Sequence, residues 1–508
     1  MTNYFTPGIA AFGALMAFAP RADAVNLNPL GTGQVLVFPY YTVNAHQQTL
    51  VSVVNTDVGV GRAVKVRFRE AYNGRAVLDF NLYLSPADVW TANVFALSDA
   101  GLAGDGAALF TRDNSCTAPR LNDSGTFSDG FGYKRFSSGN YTGAAADTGP
   151  SGDTRTREGH IEMILMSDIL PGSALFTDIR HVNSVPPRCP AASTESAAAY
   201  AAPTANPATG ASGTIADGGL WGSASIVDVP NGVFYAYNAD ALDGFSYVSL
   251  YTPAGDAQPT LASVNDRDNP QAATAHLFAS GETISATYPG TASGSRKVDA
   301  VSAVFAMNAL QNEYVVSTNG SAGTDWVLTF PTKYLYVDAQ PGGAVAGAGA
   351  AFAPFDKLFD NGTACVTLDG DAASLFDREE NTTTSSVCVF DPCPPVTPTW
   401  PCLETSVFAI TLTGSQSVLG SPLTSLVTPI RPIGTTGWIS YDLSSPDHQL
   451  NPASNGDIFH GLPVTGFAAI KYVNGAVTTS GVSALANYSA AYRHRGTIAC
   501  TNASGVCQ

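Results

Sequence analysis

Arg62-Ala63-Val64-Lys65-Val66-Arg67-Phe68-Arg69-Glu70, the link Tyr72-Asn73-Gly74, and Val77-Leu78-Asp79-Phe80-Asn81-Leu82-Tyr83-Leu84 together decide the fold class of this chain. In the first run Val64, Val66 and Phe68 alternate with Lys65, Arg67 and Arg69. That period of two sets one face of a strand on a core and the other in water. In the second run Leu78, Phe80, Leu82 and Leu84 share one face, and Asp79, Asn81 and Tyr83 the other. A two-residue Asn-Gly turn would oppose Phe68 to Asp79 and mix the faces. A three-residue loop with Gly74 left-handed instead opposes Phe68 to Leu78 and Val66 to Phe80, and is the expected register. It also sets Arg67 across from Asp79 as an exposed pair worth about 0.2–1 kcal/mol, less than the facing apolar rows contribute.

Working outward, Gln34–Val43, Thr49–Asn55 and Val89–Phe95 read as further short strands separated by turns rich in Asn, Gly, Pro and Asp. This spacing predicts a mainly β protein of two β-sandwich-like (immunoglobulin-like) regions with long loops and one short helix, a barrel being the alternative. Asp99 to Asp153 reads as surface loops and Glu158–Met166 as a strand, while Pro190–Gly213 lacks hydrophobic periodicity. The expected division is therefore a signal peptide at 1–24, an N-terminal sandwich at 25–189, a linker at 190–214 and a C-terminal β-rich domain at 215–508. In that second part Ala224–Val229, Gly232–Tyr237, Cys402–Leu412, Gly437–Leu443, Val464–Val473 and Ser483–Arg493 are predicted strands. Ala239–Phe245 is predicted as a helical turn and Asp299–Leu310 as the helix. Asn312–Ser317 and Asp325–Val337 are predicted to form a hairpin through Asn319–Gly323, and Gly342–Ala351 a loop.

Composition limits the function. The chain has 508 residues, a formal charge of −17 and only 13% charged residues. An acidic surface disfavours capture of nucleic acid or of an anionic membrane. The apolar run Ile9–Ala19 before Ala22-Asp23-Ala24 reads as an export signal, although Met1–Gly8 lacks Lys and Arg. No later run predicts a membrane-spanning helix. The expected location is secreted, extracellular or cell-surface, or periplasmic. Eight cysteines in an exported chain favour disulfides. Cys116 with Cys189 and Cys500 with Cys507 are the expected pairs. The other four pair either as Cys365 with Cys402 and Cys388 with Cys393, or as Cys365 with Cys388 and Cys393 with Cys402.

Val35-Leu36-Val37-Phe38-Pro39-Tyr40-Tyr41, Ser52-Val53-Val54-Asn55-Thr56, Val77 to Pro86 with Asp88-Val89-Trp90-Thr91, Asp325 to Lys333 and Asp377-Arg378-Glu379-Glu380 carry a resemblance. With these motifs the chain resembles a group of exported, β-rich bacterial proteins that carry no assigned function. The resemblance touches most of the chain. It implies export and a β-rich fold, and it transfers no activity to any residue.

The sequence contains no nucleophile elbow, zinc-protease motif, phosphate-binding loop, dinucleotide fingerprint or calcium hand. Asp369, Asp371, Asp377, Glu379 and Glu380 crowd around Gly370 and offer hard oxygen ligands, which makes calcium the one cofactor the acids suggest, against an ordinary acidic loop. Glu158, His160 and Glu162 share a strand face and suit a divalent metal, against a solvated face helped by Arg155 and Arg157. Asn265-Asp266-Arg267-Asp268-Asn269 reads as a turn capped by its own side chains. The histidines show no ligand spacing. Phe38, Tyr40 and Tyr41, and Tyr472, Tyr488 and Tyr492, present rings either to a sugar or partner or to a core. The expected function is a structural or adhesion-type interaction protein of the bacterial envelope, with a protein or glycan partner at the cell surface or self-association. A glycan-binding protein or a carbohydrate-active hydrolase is the alternative, the hydrolase having too many candidate acids for any pair to be nominated.

Overall fold

The computed structural model describes residues 24–505 and 507, apart from 188, 190–214, 216–217, 280, 291–295, 339–349, 361–372, 384–400, 402, 413–416 and 428. The expected signal peptide up to its last residue, the expected linker, most of the Gly-Ala tract and Cys365, Cys388, Cys393 and Cys402 lie outside the described residues. The other four cysteines pair as expected, Cys116 with Cys189 and Cys500 with Cys507.

The alternating runs form β1 (Val35–Thr42), β2 (Gln48–Asn55), β3 (Gly61–Glu70), β4 (Ala76–Leu84), β5 (Val89–Ala96) and β6 (Glu158–Ile169). Further along the chain come β7 (Leu220–Asp228), β8 (Val233–Asn238) and β9 (Asp240–Asp243), the last in place of the expected helical turn. One seven-stranded sheet runs Asn26–Leu27, β9, β1, β6, β3, β4, Cys116–Ala118; the other runs β8, β7, β2, β5, Ala107–Phe110, Gly132–Arg135, Gly125–Thr126. Leu36, Val66, Phe80 and Ile161 of the first pack on Val53, Trp90, Val94 and Leu220 of the second. The hairpin has the expected register, Val66 opposite Phe80, Arg67 opposite Asp79 and Phe68 opposite Leu78, with Gly74 at φ +63°. Because β7, β8 and β9 complete both sheets, the first sandwich extends beyond the segment expected to bound it.

The charged face of β3 corrects the sequence reading. It is buried, not in water. The chain around residues 253–259 lies over it, and its carbonyls replace solvent: Lys65 Nζ donates to Pro253 O at 3.0 Å, and Arg67 donates to Asp256 O at 2.7 Å and to Pro259 O. The pair of Arg67 and Asp79 is therefore largely enclosed. Packing at the centre of this sheet is close: a Cβ on Gly159 would lie 1.8 Å from Arg69 O. Gly159→Ala should cost roughly 1–3 kcal/mol or more, read as a fall in melting temperature; an unchanged melt would contradict this backbone spacing.

The second region contains β10 (Ala309–Val315), β11 (Ala322–Thr329), β12 (Thr405–Ile410), β13 (Thr436–Asp442), β14 (Thr465–Thr479) and β15 (Val482–Arg493). Thr382–Thr383, Ala373–Asp377, β13, β10 and Arg495–Thr497 form one sheet, and β12, β11, β14 and β15 the other. Leu310, Tyr314, Ile439 and Tyr441 meet Trp326, Leu328, Phe408 and Ala468 in a common core. The expected hairpin of β10 and β11 is instead an arch that crosses between sheets, held by Ser317 Oγ accepting from Ala322 N at 2.8 Å. β11 also stops at Thr329, and Tyr334–Val337 is helical. Val298–Phe305 is helical, starting one residue before the predicted Asp299–Leu310 and ending five residues short of it, with Asp299 inside the first turn rather than at the cap.

The two sandwiches share structure. Tyr40, Val233 and Tyr235 pack with Val327, Val407 and Phe467. Glu404 N donates to Tyr72 O at 3.0 Å and Thr405 N to Ala71 O at 2.9 Å, so the β3–β4 loop is bonded to the second region through the backbone.

Candidate functional site

The outer face of β3 and β6 carries the ionisable residues that the sequence nominated, and the second sandwich covers the end of it that holds Arg69 and Glu158. Glu158 Oε2 accepts from Tyr40 Oη and from Ser421 Oγ, each at 2.7 Å. Burial pushes the Glu158 carboxyl up to about 7 despite those bonds. Glu162 is the opposite case. Burial alone would raise it, but the Arg69 guanidinium at 2.7 Å, helped by His160, holds it down at about 2. His160 is fully buried, neither ring nitrogen has a hydrogen-bond partner among the described residues, and its Nε2 lies 3.7 Å from Glu162 Oε1. Burial lowers its pKa. Glu158 thus points to Tyr40 and Ser421, while His160 and Glu162 turn toward each other. Among the described residues, the three-ligand grouping close enough for a metal is Asp457, Cys500 and Cys507, whose cysteines are already bonded to each other.

Two further groups come from the second sandwich. Arg69 Nη2 donates to Tyr334 Oη at 3.0 Å, and Glu404 lies so near Gly74 that a Cβ there would be 3.0 Å from Glu404 Cδ. Neither Glu404 oxygen has a hydrogen-bond partner among the described residues. Burial raises this carboxyl far above its usual range, against the pull of Lys333 and Arg69. Lys333 is lowered by burial to about 8. On the other side of the loop, Glu70 accepts from the backbone amides of Tyr72, Asn73 and Arg75 and from Arg155, which also bonds Asp147. Glu162 and Glu404 differ in pKa as an acid–base pair does, yet both side chains are closed to solvent, so a polysaccharide cannot reach them. This cluster joins the sandwiches.

The exposed counterpart lies on β14 and β15. Ser480 and Gly481, at φ +53° and +80°, make a two-residue turn whose backbone twist suits a hairpin. The register aligns Trp326, Ala468 and Tyr492 in one row across three strands, and Ala322, Tyr472 and Tyr488 in another. Residues in such rows share a face. Trp326 and Ala468 are core, but the sheet continues past its cover, and Tyr472, Tyr488 and Tyr492 are 39%, 62% and 51% exposed. No family model, curated protein or solved structure matches this chain.

From Tyr472 to Tyr492 no residue is charged. The opposite face of β15 rests on β8, where Ser489 Oγ accepts from Phe234 N and donates to Phe234 O, both at 2.8 Å. Asn487 Nδ2 donates to Asn231 O at 2.7 Å. These are side-chain contacts, and among the described residues no strand pairs with the outer edge of β15.

Of the aromatic candidates, Phe38, Tyr40 and Tyr41 are core, and the C-terminal tyrosines are surface. In the acidic loop Asp369 and Asp371 lie outside the described residues. Asp377 accepts from Glu379 N and Asn381 N, each at 2.9 Å, and from Asn381 Nδ2 at 2.8 Å, while Glu379 pairs with Arg378. Its oxygens thus serve the local turn. The Asn265–Asn269 turn is capped as expected, Asp266 accepting from Thr274 N and Asn269 from Gln271 N. Glu404 and Arg155 were missed as junction residues. Neither stands in a motif, and the sequence offers no sign that the β3–β4 loop is their common target.

Proposed function

We propose that this chain is an exported interaction protein of the cell envelope, adhesive or structural in role, that works through the tyrosine face of β14 and β15. The observation that carries this reading is the continuation of a core face into solvent: the row that buries Trp326 ends in exposed Tyr492, and beyond the row of Thr324, Ile470 and Ala490 the same face ends in exposed Tyr472 and Tyr488. Large, rigid rings with a polar tip give contact area at small entropic cost. Two disulfides fit an oxidising compartment, and no helix among the described residues is long and apolar enough to cross a membrane.

A neutral glycan is the second reading, favoured by the same uncharged phenol rings. A hydrolase has less support, because the most differentiated carboxylates are sealed in the junction. The test is retention of the exported chain on its own cells. Tyr472→Ser, Tyr488→Ser and Tyr492→Ser combined should lose most of that retention at an unchanged melting temperature. Equal retention of the triple variant would contradict the reading. Retention on an insoluble neutral polysaccharide would select the glycan form.

A further inference from the structure

We propose that a second copy of this chain docks edge to edge on β15, joining the two four-stranded sheets across a two-fold axis at Tyr488. The proposal rests on the interaction reading above and names its partner.

The backbone supplies the first argument. His494 N donates to Gly466 O at 3.1 Å. Tyr492, Ala490 and Tyr488 face Ala468, Ile470 and Tyr472 in the same unbroken register. Bonded and non-bonded pairs alternate in an antiparallel ladder, so these even-numbered residues turn N–H and C=O toward β14. Asn487, Ser489 and Ala491 turn theirs outward. Beyond the register shift at Val473/Ala476, Thr479 and Val482 flank the two-residue turn as the closing pair, which makes Ser483 and Leu485 outward as well. One continuous row of donors and acceptors therefore lies along β15.

The second argument is what the edge lacks. Natural edges are blunted by Lys, Pro, inward charges or bulges. β15 has no Pro and no charge before Arg493, and the bulge, in which Asn474 and Gly475 oppose Ala486, puts its one extra residue on β14. In a chain of charge −17, copies repel each other over most of their surface. The uncharged stretch from Tyr472 to Tyr492 is where that repulsion is least.

The third is self-complementarity. Outward rows can pair only odd residue to odd. The register centred on Tyr488 sets Asn487 against the partner subunit's Ser489 and Leu485 against the partner subunit's Ala491, and uses nearly all of β15. It keeps both tyrosine faces on one side of the joined sheet and brings the two Tyr488 rings together on the axis. A two-fold contact needs one patch that matches itself, and a second copy always presents a strand of the right length and pattern.

Sedimentation equilibrium of the disulfide-bonded chain from Val25 onward tests this. The wild type should dimerise reversibly. Tyr488→Lys places like charges opposite each other across the interface and should weaken the dimer by roughly tenfold or more, with the melting of the dilute chain unchanged because Tyr488 is exposed. Mixing Tyr488→Lys with Tyr488→Glu should restore association as one-to-one heterodimers. A wild type that stays monomeric, a dimer indifferent to Tyr488→Lys, or variants that do not recombine would each overturn the proposal. If the wild type is monomeric while the triple tyrosine variant still loses cell retention, the second copy is excluded and the interaction reading stands. If neither effect is seen, both fall.

Discussion

Arg155→Met is expected to lower the stability of the chain by about 3–5 kcal/mol, the range for removing one partner of a buried ion pair. The Arg155 guanidinium reaches Glu70 at 2.8 and 3.0 Å and Asp147 at 2.6 and 2.7 Å, and lies 4.4 Å from the centre of the Tyr141 ring. Its side chain and that of Glu70 have no solvent exposure. Met fills part of the volume but leaves two carboxylates without their cation. Glu70 also gathers three amides of the Tyr72–Gly74 loop, and that loop is bonded to Thr405 and Glu404, so the damage should spread into the second sandwich. Urea unfolding followed by intrinsic fluorescence measures it. Adding Glu70→Gln to Arg155→Met should recover part of the loss, because one of the stranded charges is removed. A loss under about 1 kcal/mol would place Arg155 among ordinary surface pairs and contradict the enclosed geometry.

The second large effect is on pH. Burial raises Glu158 to about 7 and Asp299 and Asp325 to about 6, and raises Glu404 well above its ordinary value. Unfolded carboxyls titrate near 4, so the folded chain holds more protons than the unfolded chain between that pH and these values. Stability then falls as pH rises through the window. Glu162, held at about 2, acts in the opposite sense and costs stability only as pH falls below about 4. Lys65 and Lys333, lowered to about 8, favour the folded state increasingly above that pH. Buried His160 and His494, both lowered by burial, gain stability as pH rises toward about 6.5, but four raised carboxyls outweigh two imidazoles, so the melting temperature should be highest near pH 5 and decline toward pH 8. Glu158→Gln should flatten the decline by on the order of 3 kcal/mol at most. A melting temperature that is flat or rising between pH 5 and 8 would contradict these environments.

The hairpin at Arg62–Leu84 was legible because two alternating rows and one left-handed glycine leave a single consistent register. The terminal disulfide was legible from its short loop. What the alternation of Lys65, Arg67 and Arg69 could not say is whether water or backbone carbonyls would solvate them, since both leave the same pattern. The chain near Pro253 that covers them is distant in sequence. The return of β7, β8 and β9 to the first sandwich is likewise a long-range pairing that local composition does not encode. β10 and β11 misled for a related reason: Asn319-Gly320 permits a hairpin and an arch alike, and the cores on either side decide. Tyr488 and Tyr492 were visible as candidates, but the same strand pattern describes core residues, as Tyr40 and Tyr41 are. Only the end of the covering sheet separates the two cases.

Oxidative footprinting of tyrosines, on the chain with cells that produce it and on the same chain purified and diluted, tests the proposed working surface most directly. Tyr472, Tyr488 and Tyr492 should be reactive in the dilute chain and protected on the cell. Buried Tyr40 and Tyr41 should be unreactive in both. If the three exposed tyrosines react equally in the two states, the surface through which this protein acts lies elsewhere, and the role assigned to β14 and β15 is wrong.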